Sequence, residues 1–387
     1  MQTKISTKDK VICLIDNHYP NQAVNPPIYQ NSIFHFDTID DYIAYKKREL
    51  KSYCYTRGNN PTTEVLEHKL AQLDQGETCR VFSSGMGAIS ATLFALLNSG
   101  DHVLVINDIY GPTKEYLQVL AKFNISFDVI SSFDTKNLTS FIKDNTRIIY
   151  TESPATMTFN VVDLRYIAEV AKSRNIYTVI DNTCMTPLLQ KPLALGFDVA
   201  VYSLSKYTGG HSDVLAGAVV TSNQLLAKID KEGFKLGGSV ISPNDAFLLL
   251  RGLRTLPSRL ETLANITQEV VSYLQSNNKV NAVLHPLAYN EEDRKLYQSQ
   301  TTGITSLLSI KLTTNNTTQI KKFIDSLKTF SIAVSWGGFE NLVMVQDISE
   351  FSKPQSENII IRLALGLLDA STIIADLEQA FNQIEVL

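Results

Sequence analysis

The sequence lacks the features of several protein classes. It has only four cysteines among 387 residues, Cys13, Cys54, Cys79 and Cys184, and no two of them form a CxxC pair. That scarcity argues against a zinc site or a disulfide framework. No apolar run approaches the length of a membrane span, and the formal net charge of -4 gives no general attraction for nucleic acid. The histidines show no metal-ligand spacing, so no bound metal is expected.

Other signals are missing as well. The start, Met1-Gln-Thr-Lys-Ile5, lacks the apolar core of a signal peptide. The chain has no convincing internal repeat and no low-complexity tract. What it does have is 44% apolar residues, which is enough for a large core. Together these properties predict a soluble, cytoplasmic enzyme that acts on a small molecule, with no membrane and no nucleic acid as a partner.

The length predicts two domains and an arm. Residues 1–56 are irregular and contain several prolines, so we expect an N-terminal arm that packs on the body or on a neighbouring subunit. Because the composition changes near Arg251, we predict a large domain over 57–252 and a smaller C-terminal domain over 253–387. The last helix is predicted from the helical spacing of Ile374, Leu377, Phe381 and Ile384.

Inside the predicted large domain, apolar strands alternate with helical stretches. That alternation predicts an α/β fold with a mainly parallel central sheet covered on both faces. Ligands of such sheets bind at the carboxyl ends of the strands. The predicted strands are residues 102–106, 125–130, 147–150, 177–181, 199–203 and 214–221, and the predicted helices include 162–174 and one that begins at Asn60-Pro61-Thr62 and ends at Gly76.

The most informative segment runs from Val199 to Asp213. An apolar strand ends in Ser203-Leu-Ser205-Lys206 and is followed by glycines, while Asp181 closes the strand 177–181. Taken singly, the lysine would be a solvated strand-end residue and the aspartate a helix cap. Together they favour a pyridoxal phosphate (PLP) site, in which the amine binds the aldehyde covalently and the hydroxyls hold the phosphate. The carboxylate would keep the pyridine nitrogen protonated, so that the ring accepts electrons.

A glycine-containing segment, residues 83–89, precedes an apolar helix. Gly85 and Gly87 would let backbone N–H groups approach a phosphate, which the helix dipole favours, although a tight strand-to-helix turn explains them as well. The same glycines partly match a dinucleotide fingerprint, with Asp108 at the end of the next strand. An NAD-dependent dehydrogenase is therefore the alternative from a different class, weakened by Ser90 at the place of a third glycine.

Two further residues stand out by their context. Tyr110 follows the strand 102–106, where an aromatic ring either stacks on a planar cofactor or is buried with its hydroxyl satisfied. Arg362 lies inside the apolar stretch 359–365, and a buried guanidinium needs a partner. A substrate carboxylate held by two hydrogen bonds and a structural salt bridge are the two alternatives for that partner.

With these residues assembled, the chain resembles the Cys/Met-metabolism family of PLP-dependent enzymes, which includes cystathionine synthases and lyases and methionine γ-lyase. The resemblance covers nearly the whole chain. The segments that carry it are Tyr55–Thr62, Ser84–Ala88, Asp108–Gly111, Asp181–Thr183, Ser203–Asp213, Arg251–Leu256, Ser335–Glu340 and Arg362–Gly366.

The resemblance implies the PLP-dependent transferase fold type I, with a smaller C-terminal α/β domain, and a homotetramer built as a dimer of active dimers. It implies that Lys206 carries the cofactor, that Tyr110 stacks on its ring and that Asp181 contacts the pyridine nitrogen. Further implied contacts are Gly85, Met86, Ser203 and Ser205 with the phosphate, Tyr55 and Arg57 with the phosphate in the neighbouring subunit, Ser335 and Trp336 with the substrate, and Arg362 with the substrate α-carboxylate.

Departures from the family pattern narrow the reaction. Members that act at Cγ usually have Glu-Ser-Leu-Gly-Gly, whereas this chain has Val334-Ser-Trp-Gly-Gly338. Their Ser-Pro-Thr-Asn-Pro is here Ser153-Pro-Ala-Thr-Met157. Both changes resemble bacterial cystathionine β-lyase. Loss of the glutamate removes an anion near the distal end of the substrate.

These departures predict α,β-elimination of L-cystathionine to homocysteine, pyruvate and ammonia, as part of methionine biosynthesis. Lys206 is the predicted base at Cα, and Lys206 or Tyr110 is the predicted proton donor to sulfur. A cystathionine γ-lyase or γ-synthase and a broader cysteine-S-conjugate lyase are the alternatives within the family. The roles of Val334 and of Leu368, which replaces a common glutamate, stay open at this point.

Overall fold

The structure is a computed structural model and describes residues 6, 9 and 19–385. Most of the first half of the predicted arm, including Cys13, lies outside the described residues. In the described part of the arm, the helix Ile39–Lys46 begins after Thr38, whose side chain accepts a hydrogen bond from the Asp41 N–H. Many large apolar side chains of the arm are exposed, among them Val24, Ile33 and Ile39. The arm therefore contributes little to the core of its own chain.

A seven-stranded sheet forms the larger body. Its strands are β1 (Thr78–Phe82), β2 (His102–Ile106), β3 (Ser126–Ile130), β4 (Thr146–Thr151), β5 (Tyr177–Asp181), β6 (Val199–Ser203) and β7 (Gly217–Thr221), in the order β1-β7-β6-β5-β4-β2-β3. The strands β3, β2, β4, β5 and β6 are parallel neighbours, and β7 is antiparallel to both β6 and β1. The prediction of an α/β fold with a mainly parallel sheet is confirmed.

The strand bounds follow the burial of the side chains. Every residue of β2 and of β7 is buried, as continuous apolar strands covered on both faces should be. The bounds predicted for β2, β5 and β6 are those of the structure. The predicted strand 214–221 begins only at Gly217 in the structure, where the Ala216 N–H before it is hydrogen-bonded to the Ser205 hydroxyl.

Helices cover both faces of this sheet. The predicted start at Asn60 is confirmed, since its side chain accepts the Thr62 N–H and Pro61 occupies the first turn. The helix ends at Asp74, two residues before the predicted Gly76, and Gln75 after it is in the left-handed conformation at φ 59°. The described α-helices of four or more residues are Ile39–Lys46, Pro61–Asp74, Gly85–Leu96, Gly111–Leu120, Leu164–Ser173, Thr186–Leu189, Asn223–Ile229, Pro243–Ser276, Glu291–Gln300, Thr317–Ser326 and Ala370–Phe381.

A second sheet follows in the C-terminal part of the chain. Its strands are β8 (Val280–Leu284), β9 (Leu307–Leu312), β10 (Phe330–Ile332), β11 (Asn341–Val345) and β12 (Ile361–Ala364), in the order β10-β11-β12-β9-β8. The final helix, Ala370–Phe381, buries Ile373, Leu377 and Phe381. The predicted helix is confirmed, and its four predicted apolar residues lie in or against the core of the second sheet, although Ile374 is only partly buried and Ile384 lies beyond the end of the helix.

One helix of 34 residues, Pro243–Ser276, joins the two sheets. Its residues from Ala246 to Leu263 pack in the core of the larger sheet, and those from Ile266 to Leu274 pack in the core of the smaller one. The predicted boundary at residue 252 falls within this helix, so the division into domains remains a prediction. In the part of the chain that the structure describes, no helix combines the length and the apolar character needed to cross a membrane.

Candidate active site

The carboxyl ends of β5 and β6 bring the predicted site together. These strands are parallel neighbours with Asp181 paired to Val201, so Asp181 and the segment Ser203–Lys206 emerge at the same edge of the sheet. This is the edge at which open parallel sheets bind their ligands. The site is therefore a consequence of strand order, which places residues 181 and 206 together although 24 residues separate them in the chain.

Asp181 is a carboxylate with one oxygen engaged. Its Oδ1 accepts hydrogen bonds from the Thr183 N–H at 3.0 Å and from the Thr183 hydroxyl. No described residue donates a hydrogen bond to Oδ2. Burial raises the pKa of Asp181, while the two Thr183 bonds and the nearby Lys206 charge lower it. A protonated pyridine nitrogen at Oδ2 would supply the missing partner and favour the ionised carboxylate.

Lys206 faces this carboxylate from the turn after β6. Its Nζ donates a hydrogen bond to the Ser335 Oγ at 2.6 Å and lies 5.6 Å from the centre of the Trp336 ring. Burial, and after it the Arg362 charge, lower the pKa of Lys206 to about 8, while Asp181 acts in the opposite direction. A larger fraction of the amine is therefore neutral near neutral pH, as a nucleophile or a base requires.

A buried arginine that the sequence analysis missed holds the turn after Lys206. Arg259 donates hydrogen bonds to the Tyr207 carbonyl at 2.7 Å and to the Gly252 carbonyl at 2.9 Å. Gly210, at φ 73°, lies against the guanidinium, and a Cβ there would be 2.2 Å from Nη1. Nothing in the sequence distinguishes Arg259 from Arg251 or any other basic residue of the same helix, so only the packing identifies it.

The segment 335–337 closes over the lysine from the second sheet. Ser335 and Gly337 both have φ 83°, which is unfavourable for a serine. A Cβ at Gly337 would lie 2.7 Å from the Tyr207 N, so glycine allows the two backbones to approach closely. The Trp336 ring packs on the Tyr207 ring with their centroids 5.3 Å apart. The predicted substrate residues 335 and 336 are thus in contact with Lys206 and with the turn that follows it.

Arg362 reaches the same place from β12. It is buried, and its Nη2 donates a hydrogen bond to the Ser335 carbonyl at 3.0 Å. Burial lowers the pKa of Arg362 to about 10. No salt bridge joins it to an acidic residue of the described chain, so these residues give no support to the alternative of a structural salt bridge. The guanidinium keeps donors for an anionic ligand beside Lys206.

A helix N-terminus forms the opposite wall. The helix Gly85–Leu96 begins after Ser84, whose hydroxyl accepts the Gly87 N–H at 2.9 Å. A Cβ at Gly85 would be 2.9 Å from the Ser203 Cβ, so the glycine, followed by Met86, lies directly on the end of β6. Such an N-terminus offers backbone N–H groups and a favourable dipole to a phosphate.

Ser205, the other predicted phosphate ligand, uses its hydroxyl differently in this structure. Its Oγ accepts the Ala216 N–H at 3.0 Å and donates to the Ala216 carbonyl at 3.3 Å. These bonds fix the turn between β6 and β7. A phosphate contact from this hydroxyl would therefore have to share it with the Ala216 backbone.

Tyr110 borders the site at the start of the helix Gly111–Leu120. Its side chain is 47% exposed, and its pKa is raised by burial and then by the charge of Asp181. Its N–H donates a hydrogen bond of 2.6 Å to the Oε1 of Glu152, a residue that the sequence analysis missed. The sequence does contain a signal for Glu152, because this acidic residue follows an apolar strand just as Asp181 ends the next strand.

Tyr55 and Arg57 do not join the site of their own chain. Both are exposed, and the guanidinium lies 5.1 Å from the centre of the Tyr55 ring. In the described part of the chain, neither residue has a hydrogen bond or a salt bridge to the residues around Lys206. Their placement leaves them available to a second subunit, as the resemblance implies.

These contacts fit PLP. An amine with a lowered pKa, a carboxylate with a free oxygen and a glycine-bounded helix N-terminus lie around one edge of the sheet. The nicotinamide alternative fits less well. The glycines follow β1 and Asp108 follows β2, but β1 and β2 are separated by four strands, so they do not form the adjacent pair of a dinucleotide-binding unit.

Comparisons with known proteins agree with this geometry. A family model described as Cys/Met metabolism PLP-dependent enzyme matches residues 11–382. The chain is 36% identical to an L-methionine gamma-lyase of Fusobacterium nucleatum subsp. polymorphum, over 92% of this chain and 93% of that protein. It is 35% identical to a cystathionine beta-lyase of Lactococcus lactis subsp. cremoris, over 93% and 94%. The crystal structure of metB from Corynebacterium glutamicum superimposes with a TM-score of 0.90 at 29% identity, covering 98% of each chain.

Proposed function

The chain belongs to the Cys/Met-metabolism family of PLP-dependent enzymes, and within this family we propose that it is a cystathionine β-lyase. It has the fold of the family and uses pyridoxal phosphate as its cofactor. The proposed reaction converts L-cystathionine and water to homocysteine, pyruvate and ammonia. Identity alone does not choose this activity, because γ-lyases and β-lyases match the chain about equally well.

The segment at Val334 and Trp336 carries the proposal. Ser335, between these two residues, accepts a hydrogen bond from Lys206, so Val334 and Trp336 border the space next to the reacting amine. Val334 is 76% exposed and stands where members that act at Cγ usually have a glutamate. The segment therefore presents an apolar side chain and an indole near the distal part of a substrate, rather than a carboxylate.

Substrate binding is assigned to the cationic side of the site. We propose that Arg362 holds the α-carboxylate, because its guanidinium is buried, fixed by the Ser335 carbonyl and free of any described acidic partner. Held this way, the substrate presents its α-carbon to Lys206. The Lys206 amine donates a hydrogen bond to the hydroxyl of the same Ser335. One serine thus sets the spacing between the carboxylate-binding group and the base.

When bound, the cofactor supplies an electron-withdrawing ring that stabilises the negative charge left at Cα after its proton is removed. Lys206 removes that proton, and its lowered pKa of about 8 keeps part of the amine neutral for the task. Asp181 keeps the ring nitrogen protonated. As the Cβ–S bond breaks and sulfur keeps its electron pair, Lys206 or Tyr110 gives a proton to the sulfur.

A γ-elimination is the second candidate, favoured by the similarity to the L-methionine gamma-lyase. The two reactions differ in their keto acid, since β-elimination yields pyruvate and γ-elimination yields 2-oxobutyrate. The purified enzyme would be incubated with L-cystathionine and with L-methionine, and the keto acids separated by chromatography. Predominant 2-oxobutyrate from L-cystathionine, or turnover of L-methionine faster than that of L-cystathionine, would overturn the proposed β-lyase.

We also propose that the active unit contains at least two chains, with Tyr55 and Arg57 reaching the phosphate bound in the neighbouring subunit. Both residues are exposed, and in the described part of their own chain neither is hydrogen-bonded or ion-paired to the residues around Lys206, which supports this arrangement. The homotetramer and the cytoplasmic location remain expectations from the sequence and the resemblance. Light scattering coupled to gel filtration would measure the assembly directly.

A further inference from the structure

A second carboxyl, which has no role in the proposed reaction, lies beside Asp181 at the same sheet edge. In the register of β4 and β5, Thr151 pairs with Ile180, so the next residues, Glu152 and Asp181, are neighbours. Glu152 is only 7% exposed. A buried carboxyl of this kind needs a reason to be there.

Glu152 holds the loop that carries Tyr110 at both of its ends. Its carboxyl Oε1 accepts the Tyr110 N–H at 2.6 Å. Its backbone carbonyl accepts the Asn107 Nδ2 at 3.3 Å, and the same amide also donates to the Asn160 carbonyl at 3.2 Å. Asn107 has φ 77°, so the loop begins in a conformation that needs such support. The height of Tyr110 above the sheet edge therefore depends on residue 152.

The surroundings of the carboxyl favour its uncharged form. Its strongest charged neighbours are two acids, Asp181 and then Asp108, which raise the pKa of Glu152, whereas hydrogen bonds from the N–H groups of Tyr110 and Thr156 lower it. Burial is the largest cause that raises the pKa of Glu152, and repulsion by Asp181 follows. Other titratable groups that face this region are Tyr150, Cys184 and, through Cys184, Arg362. Two adjacent buried carboxyls do not both ionise easily, so one of them keeps a proton.

We propose that Glu152, in its neutral form, is a positioning residue that fixes Tyr110 over the reacting centre and leaves the negative charge of the pair to Asp181. The proposal rests on the proposed lyase function for the role of Tyr110. The carbonyl oxygen of a neutral carboxyl accepts the Tyr110 N–H as an amide oxygen would. A charge at residue 152 is not needed for this purpose, and beside Asp181 it would compete for the proton of the ring nitrogen.

Three substitutions at residue 152 distinguish the need for a hydrogen-bond acceptor of the right reach from the need for a negative charge. Glu152→Gln keeps the acceptor and its reach without any charge, Glu152→Asp keeps the carboxyl but shortens it by one methylene, and Glu152→Ala removes the acceptor. Removing the acceptor of the Tyr110 N–H should lower kcat/KM about tenfold or more. The glutamine variant should recover most of that loss, and the aspartate variant less of it. The exposed Glu115, which also acts on Tyr110 electrostatically, provides the control Glu115→Gln, expected to match the parent.

Visible circular dichroism of the bound cofactor adds a readout that a merely structural role would not move, because it reports the asymmetric contacts of the ring. We expect the alanine variant to change this band and the glutamine variant to restore it. Thermal unfolding of each loaded variant checks folding, and if the alanine variant does not fold, the ranking of glutamine above aspartate decides.

Aspartate ranking above glutamine would show that the charge is required and would overturn the proposal, as would an alanine variant equal to the parent in both readouts. If the parent cleaves no thioether, the lyase function fails instead, while the dichroism ranking still tests Glu152.

Discussion

Replacing Ser335 by alanine tests the arrangement of the site most directly. The hydroxyl accepts the only hydrogen bond that the Lys206 Nζ makes within the described chain, at 2.6 Å. A hydrogen bond to a chargeable group contributes about 1.5–3 kcal/mol, which corresponds to roughly 10- to 150-fold in rate. We therefore expect kcat/KM for L-cystathionine to fall within that range, because the amine loses the group that orients it toward Cα.

The backbone of Ser335 separates this effect from strain. At φ 83°, alanine keeps the unfavourable conformation of the serine, whereas glycine relieves about 1–2 kcal/mol of it. Ser335→Gly should therefore lose as much activity as Ser335→Ala but unfold a few degrees higher. The exposed Ser331→Ala provides a matched control.

Activity is measured as pyruvate formation by steady-state kinetics, and stability by thermal unfolding of the loaded enzyme. An alanine variant with full kcat/KM would refute the assigned contact with Lys206. A glycine variant no more stable than the alanine variant would refute the argument from strain.

Four further predictions follow from the same geometry. Lys206→Ala should abolish turnover and the absorbance of the lysine-bound cofactor. In the parent, the acid limb of the kcat–pH profile should fall about tenfold per pH unit below roughly 8, because protonation removes the base. A limb near 10.5 would contradict the lowered pKa of Lys206. Mixing inactive Arg57→Ala with inactive Lys206→Ala under subunit exchange should restore activity, since one site of each hybrid dimer is intact, and no recovery would argue for sites made by one chain. Val334→Glu should favour cystathionine over S-methylcysteine by only about two- to fivefold relative to Val334→Gln. The effect is small because position 334 is 76% exposed and exposed ion pairs are weak. A preference above tenfold would place the side chain in a drier site. Arg259→Met should lower the melting temperature by several degrees, with Arg259→Lys between it and the parent, because buried carbonyls lose their donors; an unchanged melting temperature would contradict this role.

Much of the larger body could be predicted from local patterns. Apolar strands alternating with helices indicated the parallel sheet, and three strands have their predicted bounds. Asn60 and Pro61 marked a helix start because capping is a local interaction. The last helix was also predicted, but only packing shows that Ile373 is more deeply buried than Ile374.

The candidate site likewise has residues that local patterns predict and residues that only tertiary contacts identify. Lys206 and Asp181 were recognisable because a reactive side chain at the end of an apolar strand is a local signal. The sequence alone predicted their chemistry and determined the family to which the chain belongs. Only the tertiary structure showed that Arg259 holds the lysine turn, that Arg362 has no described acidic partner and that Glu152 supports Tyr110. Each of these depends on which strands and helices become neighbours, and hydrogen bonds across 42 to 52 residues leave no trace in local spacing.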